Sequence, residues 1–469
     1  MPYSLYFHIP FCKHRCAYCD FNTYAGQESL IPAYVDALCR EIEYSAGSLS
    51  RFRETAGDES KVHTIFFGGG TPSLLTPKQY EQIFHALRTH FHLVDLSGVE
   101  TSLEANPGTV SLNYLKDLHS LGFNRISLGV QSSDPQELRQ LERIHDFFDV
   151  LDAVDWSRRA GFRNLNLDLI FGLPEQTPDR WSATVKRAVD LAPEHLSLYA
   201  LTVEHGTPFG RWSTRGLLPL PDADAAAEMY EWAGEYLEAQ GYVQYEISNW
   251  ALDDRRQTMD HRIRPARSDE RQRGVQSKGN LPVNLSFDYA VQRAYGSAQD
   301  VKSNFARSPL FACEHNLTYW RGLPYLGFGA GAHGYANGLR VSNVLRIKTY
   351  IERLTDNELR IPDCEFPLAP ATVNQVKINQ HTAMQETMMT GLRLTREGIS
   401  AADFAARFGV RVTDVFGKEI DALTALGLLE WALPTTPESG KGAGGEGHLR
   451  LTPRARLLGN QVFMRFVGE

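Results

Sequence analysis

The strongest constraint on the fold is an alternation of short apolar runs and amphipathic segments through the first half of the chain. Six β-like runs occupy residues 4–10, 62–67, 99–105, 125–130, 164–171 and 195–202. Helical periodicity follows each of them, at residues 31–45, 77–91, 111–121, 135–160, 178–191 and 223–240, and the fourth helix is expected to be broken. Alternating strands and helices indicate a parallel sheet with right-handed crossovers. The pattern therefore predicts an α/β fold, with a partial (β/α)6 barrel over residues 1–252.

The second half of the chain lacks this alternation of predicted strands and helices. Residues 253–312 are polar and aperiodic, which predicts a poorly ordered insertion, and residues 313–370 are interpreted as a barrel-associated segment. Residues 371–469 predict a mostly helical, winged-helix-like domain, with helices at 372–392, 400–408 and 411–426. Strands at 427–431 and 448–451 would form its wing, with residues 434–447 as the tip.

Composition and charge exclude several classes of protein. A hydrophobic content of 42% is enough for a full core, and a net charge of −8 gives no global basic surface for nucleic acid. The N-terminal residues lack the pattern of a signal peptide, and no apolar run is long enough to predict a transmembrane segment. We therefore expect a cytoplasmic protein with reduced thiols.

Half of the six cysteines lie in one eight-residue stretch, Cys12, Cys16 and Cys19, directly after the first predicted strand. Three thiolates with this C-x3-C-x2-C spacing can converge on one metal centre. A structural zinc site needs a fourth ligand, for which His14, His8 or Cys39 would be candidates. An iron–sulfur cubane held by three thiolates keeps one iron open for an external ligand. The remaining cysteines, Cys39, Cys313 and Cys364, are interpreted as small packing residues or inert thiols.

Other strand ends carry further polar or glycine residues, and in a β/α barrel such ends share the rim where active sites lie. Gly68, Gly69 and Gly70 let the backbone approach a ligand closely. Glu104 and Asp168 suit hydrogen bonds to hydroxyl or amino groups, and Gln131 can both donate and accept. Arg143 is consistent either with a contact to a carboxylate or with an ordinary surface arginine on a helix.

The cysteine spacing, with Tyr18 before the third cysteine, resembles the signature of the radical S-adenosylmethionine enzymes. Longer stretches resemble the oxygen-independent coproporphyrinogen III oxidase-like family, and within it the HemW-type heme chaperone branch. These stretches are residues 6–12, 68–75, 125–132, 167–174, 245–250 and 315–334. The resemblance implies a [4Fe-4S] cluster on Cys12, Cys16 and Cys19. It implies S-adenosylmethionine at Tyr6, Tyr18, Gly69, Gly70, Thr71, Glu104, Gln131, Arg143 and Asp168.

Two details separate the branches of this family. True coproporphyrinogen dehydrogenases carry another cysteine two residues after the third, where this chain has Phe21. The chaperone branch carries an H-N-x-x-Y-W motif, which here begins at His315 and ends with Tyr319 and Trp320. The resemblance thus implies a chaperone that binds heme and transfers it to a respiratory acceptor protein. The alternative is a coproporphyrinogen III dehydrogenase of porphyrin biosynthesis, so the sequence leaves open whether the chain is an enzyme.

The heme site itself is less constrained by the sequence. His315 is an axial-ligand candidate with Tyr319 and Trp320 flanking the ring, and His333 is a second candidate. The other interpretation is that His315 caps a turn and Trp320 belongs to the core. The resemblance also leaves room for dimerisation and for peripheral association with a membrane.

Overall fold

The computed structural model describes residues 3–56, 62–91, 93, 96, 98–253, 308–356, 369–432 and 447–467. Nearly all of the insertion predicted at 253–312 lies outside the described residues, as do Cys364 and almost all of the predicted wing tip. No helix within the described part of the chain is long and apolar enough to cross a membrane.

The six predicted runs and the helices that follow them are confirmed as alternating strands and helices. The strands are β1 Tyr3–Ile9, β2 Phe11–Cys12, β3 Tyr24–Ala25, β4 Val62–Gly69, β5 Glu100–Ala105, β6 Arg125–Gln131, β7 Asn164–Phe171, β8 His195–Ala200, β9 Tyr242–Glu246, β10 Asn249–Leu252, β11 Tyr325–Phe328, β12 His333–Ala336, β13 Leu339–Asn343, β14 Thr372–Lys377, β15 Ile399–Ser400, β16 Leu429–Ala432 and β17 His448–Leu451. The helices are α1 Ile31–Ala56, α2 Pro77–Phe91, α3 Leu112–Leu121, α4 Pro135–Gln140, α5 Phe147–Ala160, α6 Pro178–Asp190, α7 Pro208–Thr214, α8 Ala223–Ala239, α9 Glu314–Trp320, α10 Ile347–Thr355, α11 Gln380–Gly391, α12 Ala401–Phe408, α13 Val412–Ala425 and α14 Gly459–Phe463.

A twelve-stranded sheet forms the barrel, in the order β14-β13-β12-β11-β1-β4-β5-β6-β7-β8-β10-β9. The six predicted strands β1, β4, β5, β6, β7 and β8 are parallel neighbours. Strand β11 adds a seventh parallel strand next to β1, which the sequence analysis did not predict. Antiparallel strands extend both ends of this parallel set. The carboxyl ends of the parallel strands therefore share one rim.

The break predicted in the fourth helix is confirmed, and local signals explain it. Helix α4 ends at Gln140, and Glu142 has a left-handed backbone with φ 54°. Helix α5 then restarts at a capping box, in which Asp146 accepts from the backbone of Asp149 and Asp149 accepts from that of Asp146. The interruption turns the intervening residues, including Arg143, toward the rim instead of continuing a surface helix.

The barrel core is aromatic around its first strand. Phe7 of β1 stacks between Phe67 of β4 and Phe328 of β11, with ring centroids 4.7 and 4.9 Å away. Beside this layer, the buried Glu41 of α1 accepts hydrogen bonds from the Gly329 amide (2.7 Å) and the Tyr350 hydroxyl (2.6 Å). A buried carboxylate is tolerated only when such donors surround it. These contacts fasten the segment after β11 to the helix that follows the cysteine loop.

The C-terminal segment has its own core and resembles a winged helix, as predicted. Helices α12 and α13 pack with the three-stranded sheet β15-β17-β16, in which β16 and β17 form the antiparallel wing. The helix predicted over residues 372–392 is wrong in its first part, because Thr372–Lys377 form β14 on the edge of the barrel sheet. β-branched residues favour that strand, and the Asn379 side chain then caps α11. The division of the chain predicted at residue 371 stays a prediction.

Candidate active site

The loop after β1 carries the three cysteines and is fastened to the glycine turn after β4. The Gly70 amide donates to the Ile9 carbonyl (2.9 Å), and the Thr71 amide donates to the Phe11 carbonyl (2.7 Å). A Cβ at Gly70 would lie 2.7 Å from the Phe11 carbonyl oxygen and 3.0 Å from the Cys12 sulfur. Only glycine allows this close approach, so the turn fixes the start of the cysteine loop.

A hydrogen-bond donor lies beside each of the three sulfurs. The Thr71 hydroxyl is 3.6 Å from Cys12 Sγ, and Arg143 Nη1 is 3.4 Å from Cys16 Sγ. The Thr23 hydroxyl is 3.9 Å from Cys19 Sγ. Burial raises the pKa of the Cys12 and Cys19 thiols, while these hydroxyls oppose that effect. Such donors would stabilise sulfur ligands that carry negative charge.

This arrangement fits an iron–sulfur cluster better than a zinc ion. Among the described residues, no three His, Cys, Asp or Glu side chains are grouped so that they could hold one metal ion. A four-iron cluster binds each cysteine at a different iron, so it needs thiols that surround a wider space. Two of the three candidate fourth ligands for zinc have other partners: His14 lies 3.4 Å from Glu142, and both His8 nitrogens are hydrogen-bonded.

Next to the cysteine loop, Gly69 connects strand β4 with Glu104 of β5. Gly69 has φ 112° and donates its amide to Glu104 Oε2 (3.1 Å). The His8 imidazole covers it, since a Cβ at Gly69 would lie 2.6 Å from that ring. Burial and the charge of nearby Asp168 raise the pKa of Glu104 to about 7. Glu104 thus presents a carboxyl group whose charge a ligand at the rim can change.

Asp168, Gln131 and Arg143 complete the rim on the side of β6 and β7. Asp168 accepts from the Ser127 hydroxyl and the Asn166 amide, both at 2.8 Å, and burial raises its pKa. Gln131 ends β6 with a strained φ of 66°. Arg143 donates to the Gly129 carbonyl (2.7 Å), while its buried Nε has no hydrogen-bond partner in the structure. The structure therefore places Arg143 at the rim, although its contact with a ligand stays a prediction.

Both predicted tyrosines also lie at this rim. The Tyr6 hydroxyl is 3.0 Å from His8 Nδ1, and its ring stacks near Phe66. Tyr18 packs against the small apolar cluster of Leu141, Leu173 and Phe209. Burial raises the pKa of both phenols, so both hydroxyls stay protonated and can donate.

The H-N-x-x-Y-W motif forms helix α9 behind Tyr6. His315 is buried, with Nδ1 2.6 Å from the Thr64 hydroxyl and Nε2 2.8 Å from the Tyr319 hydroxyl. Burial lowers its pKa to about 3, so the imidazole is neutral. Arg393 lies over the Trp320 ring at 4.3 Å. Both His315 nitrogens are thus already hydrogen-bonded, and axial ligation by His315 stays a prediction that requires helix α9 to rearrange. His333, by contrast, lies exposed on β12.

The sequence analysis missed two residues of the rim. His8 was considered only as a zinc ligand, but its ring covers Gly69 and joins Tyr6 to the Asn22 carbonyl. Tyr199 is the penultimate residue of β8, and its hydroxyl lies close enough to Asp168 and Glu104 for their charges to raise its pKa. The same reasoning from strand ends would have found Tyr199, because residues 195–202 were the sixth predicted run.

Comparison with known proteins agrees with this fold. The model of the Radical SAM superfamily matches residues 6–188, and that of the HemN C-terminal domain matches residues 378–432. The structure of coproporphyrinogen III oxidase (HemN) from Escherichia coli superposes with a TM-score of 0.69 at 22% identity, covering 99% of this chain and 90% of that one. The fold and the cysteine loop thus define a radical SAM protein.

Relatives of higher identity narrow this class to one family. The chain is 33% identical to the Heme chaperone HemW of Bacillus subtilis (strain 168), over 99% of both proteins. It is 32% identical to the Heme chaperone HemW of Mycobacterium tuberculosis (strain ATCC 25618 / H37Rv), over 100% of this chain and 95% of the relative. The chain belongs to the HemW family. Membership of the radical SAM superfamily implies a [4Fe-4S] cluster and S-adenosylmethionine as cofactors.

Replacement of Gly69 by alanine tests how tightly the glycine turn is packed. Gly69→Ala should lower the free energy of unfolding by about 3 kcal/mol, because it adds a clash with the His8 ring to the cost of a positive φ. Gly206 also has a positive φ but open space around it, so Gly206→Ala should cost only about 1 kcal/mol. Urea denaturation measures both, and equal losses would contradict the packing described here.

Replacement of Glu104 by glutamine tests the raised pKa of this carboxyl. Between its usual value of 4.5 and about 7, Glu104 keeps a proton in the folded state that the unfolded state has lost. Its stabilising contribution is therefore full below pH 4.5 and disappears as the pH rises through about 7. The free energy of unfolding of the cofactor-free wild type should fall by about 3 kcal/mol more than that of Glu104→Gln over this range.

The exposed Glu81 of α2 supplies the control for this comparison. Glu81→Gln should leave the pH profile of the wild type unchanged. Parallel profiles for the wild type and Glu104→Gln would show that folding does not raise the pKa of Glu104.

Proposed function

We propose that this protein is a heme chaperone that holds a [4Fe-4S] cluster and S-adenosylmethionine, binds heme and transfers it to an acceptor protein. The observation that carries the first part is the cysteine loop. Three thiols, each beside a donor, are fastened to a glycine turn, and the two histidines considered as fourth ligands, His8 and His14, have other partners. In such a site the cluster supplies one open iron position and an electron.

Different residues of the rim would contact different groups of S-adenosylmethionine. The glycine turn offers backbone close to the cysteine loop, and Glu104 and Asp168 offer carboxylates for amino and hydroxyl groups. The guanidinium of Arg143 has its Nη1 beside Cys16 and a buried Nε without a partner among the described residues, so its positive charge can attract the carboxylate of the methionine moiety. Gln131, Tyr6, Tyr18 and Thr71 supply further polar groups around the same space.

Heme binding is supported by the names of the relatives and by the histidine and aromatic residues of helix α9. Both relatives described above are named heme chaperones, and this chain covers nearly their whole length. Helix α9 carries a neutral imidazole at His315, which is the form that binds iron. Tyr319 and Trp320 are aromatic residues of the kind that flank a planar ring. A respiratory protein as acceptor, dimerisation, a cytoplasmic location and peripheral membrane association stay predictions.

Coproporphyrinogen III dehydrogenase activity is the rival function. The structural similarity to the Escherichia coli oxidase concerns the fold alone, at 22% identity. Phe21 occupies the position of that branch's additional cysteine, and its side chain is 64% exposed. We therefore expect no protoporphyrinogen from coproporphyrinogen III in an anaerobic assay, and turnover would overturn the chaperone assignment.

Anaerobic reconstitution with iron and sulfide tests the proposed cofactor and the proposed ligand together. The wild type should become brown, with broad absorbance near ~400 nm, and should bind added heme with a shifted Soret band. Cys12→Ser should lose the iron, because it removes one of three ligands. Cys39→Ser is the matched control, since Cys39 lies on α1 away from the loop, and it should keep the iron.

Two results would contradict the proposal. Equal iron content in Cys12→Ser and the wild type would exclude Cys12 as a ligand. Absence of a heme-dependent Soret change in fully reconstituted wild type would exclude the heme chaperone function.

A further inference from the structure

A continuous chain of buried hydrogen bonds crosses the barrel interior from Asp168 to the beginning of helix α9. Asn166 of β7 donates its amide to Asp168 Oδ1 (2.8 Å). The Asn166 carbonyl oxygen lies 2.6 Å from His195 Nδ1, and His195 Nε2 lies 2.8 Å from the Tyr245 hydroxyl. Tyr245 in turn accepts from the Cys313 amide (3.2 Å), and Cys313 is the N-cap of α9.

Which atom donates and which accepts in each of these hydrogen bonds can be assigned by starting at Asp168 and at the Cys313 amide. An ionised Asp168 only accepts, so Asn166 must present its NH2 group to Asp168 and its carbonyl oxygen to His195. The Ser197 hydroxyl also donates to that oxygen, which supports the same orientation. His195 must then carry its proton on Nδ1 and accept at Nε2 from the Tyr245 hydroxyl. That hydroxyl oxygen remains free to accept from Cys313.

The members of the chain between Asp168 and helix α9 are shielded from water, so the hydrogen bonds among them have no solvent substitutes. His195 is fully buried, Asn166 is 2% exposed and Tyr245 is 3% exposed. Burial and the nearby Arg125 charge lower the pKa of His195, so the ring stays neutral and has only one proton to donate. Losing or reversing one of these hydrogen bonds leaves a buried donor or acceptor unpaired, which costs free energy. A change of hydrogen bonding at Asp168 is therefore costly unless the hydrogen bonds near Cys313 change with it.

We propose that Asn166, His195 and Tyr245 are positioning residues that couple ligand binding at Asp168 to ligand binding at helix α9. This inference rests on the proposed function, in which S-adenosylmethionine contacts Asp168 and heme contacts α9. A ligand that donates to Asp168 keeps this carboxyl ionised and holds the chain in the direction described. The chain then fixes the Cys313 amide at the start of α9, next to the amides of Glu314 and His315, which Glu100 holds at 3.1 Å each. Reciprocally, a ligand that moves α9 changes the affinity at Asp168 by the same factor.

The coupling is measured as the ratio of heme dissociation constants with and without saturating S-adenosylmethionine, on anaerobically reconstituted protein. The wild type should show a change of about fivefold or more. Tyr245→Phe removes one oxygen atom and interrupts the chain between His195 and Cys313. Its ratio should fall to within about twofold of one, while each ligand alone still binds.

Tyr242→Phe is the matched control. Tyr242 lies on the same strand β9, is also 3% exposed and also loses a buried hydrogen bond, to the Pro193 carbonyl. Tyr242 does not belong to this series of hydrogen bonds, so Tyr242→Phe should keep the wild-type ratio of heme dissociation constants. A purely structural effect of losing a buried hydroxyl would change both variants alike, and urea denaturation of both checks that their stabilities match.

The outcomes separate this inference from the proposed function. Wild type that binds neither heme nor S-adenosylmethionine overturns both. Wild type that binds both ligands with a ratio near one overturns the coupling alone. The coupling is also overturned if Tyr245→Phe keeps the wild-type ratio or if Tyr242→Phe loses it equally.

Discussion

The site depends on the backbone contact between the cysteine loop and the glycine turn. Two amides, of Gly70 and Thr71, bond to carbonyls at the end of β1 and the start of the loop. This contact brings together the ends of two neighbouring parallel strands and requires a residue without Cβ at the crossing. The cysteines, the donors beside their sulfurs and the carboxylate of Glu104 all take their positions from it.

Around this contact, the barrel interior is unusually rich in buried polar groups. Glu104 and Asp168 have raised pKa values because little solvent reaches them, and Arg125 and Arg143 lie within the same interior. Such groups cost folding free energy unless they are paired. Their concentration inside one barrel is typical of a site arranged for ligands, whose own charges complete the pairing. The chain from Asp168 to α9 extends this polar interior toward the second proposed ligand.

The local pattern of the sequence predicted the barrel well, because each of its strands is apolar and each helix follows at regular spacing. The strand ends also predicted which side chains would meet, since parallel strands share a rim. Strand β11 was missed because its parallel pairing with β1 joins residues more than three hundred positions apart. Strand β14 was missed because its two exposed valines, Val373 and Val376, also fit a helical spacing.

The sequence predicted which residues lie at strand ends better than it predicted the contacts that their side chains make. Spacing alone could not decide whether Arg143 belongs to a helix surface or to the rim, because the answer depends on the capping box at Asp146. The hydrogen bonds of His315 to Thr64 and Tyr319 likewise depend on how α9 packs behind β1 and β4. Contacts between distant segments cannot be predicted from the hydrophobic periodicity of any single segment.

We propose that three cysteines hold a cluster whose remaining iron is open to S-adenosylmethionine. Electron paramagnetic resonance of the reduced, reconstituted protein tests this proposal, because a ligand on the open iron changes the spectrum of the cluster. We expect a clear spectral change on adding S-adenosylmethionine to the wild type. An identical spectrum with and without S-adenosylmethionine, in protein with full iron content, would contradict it.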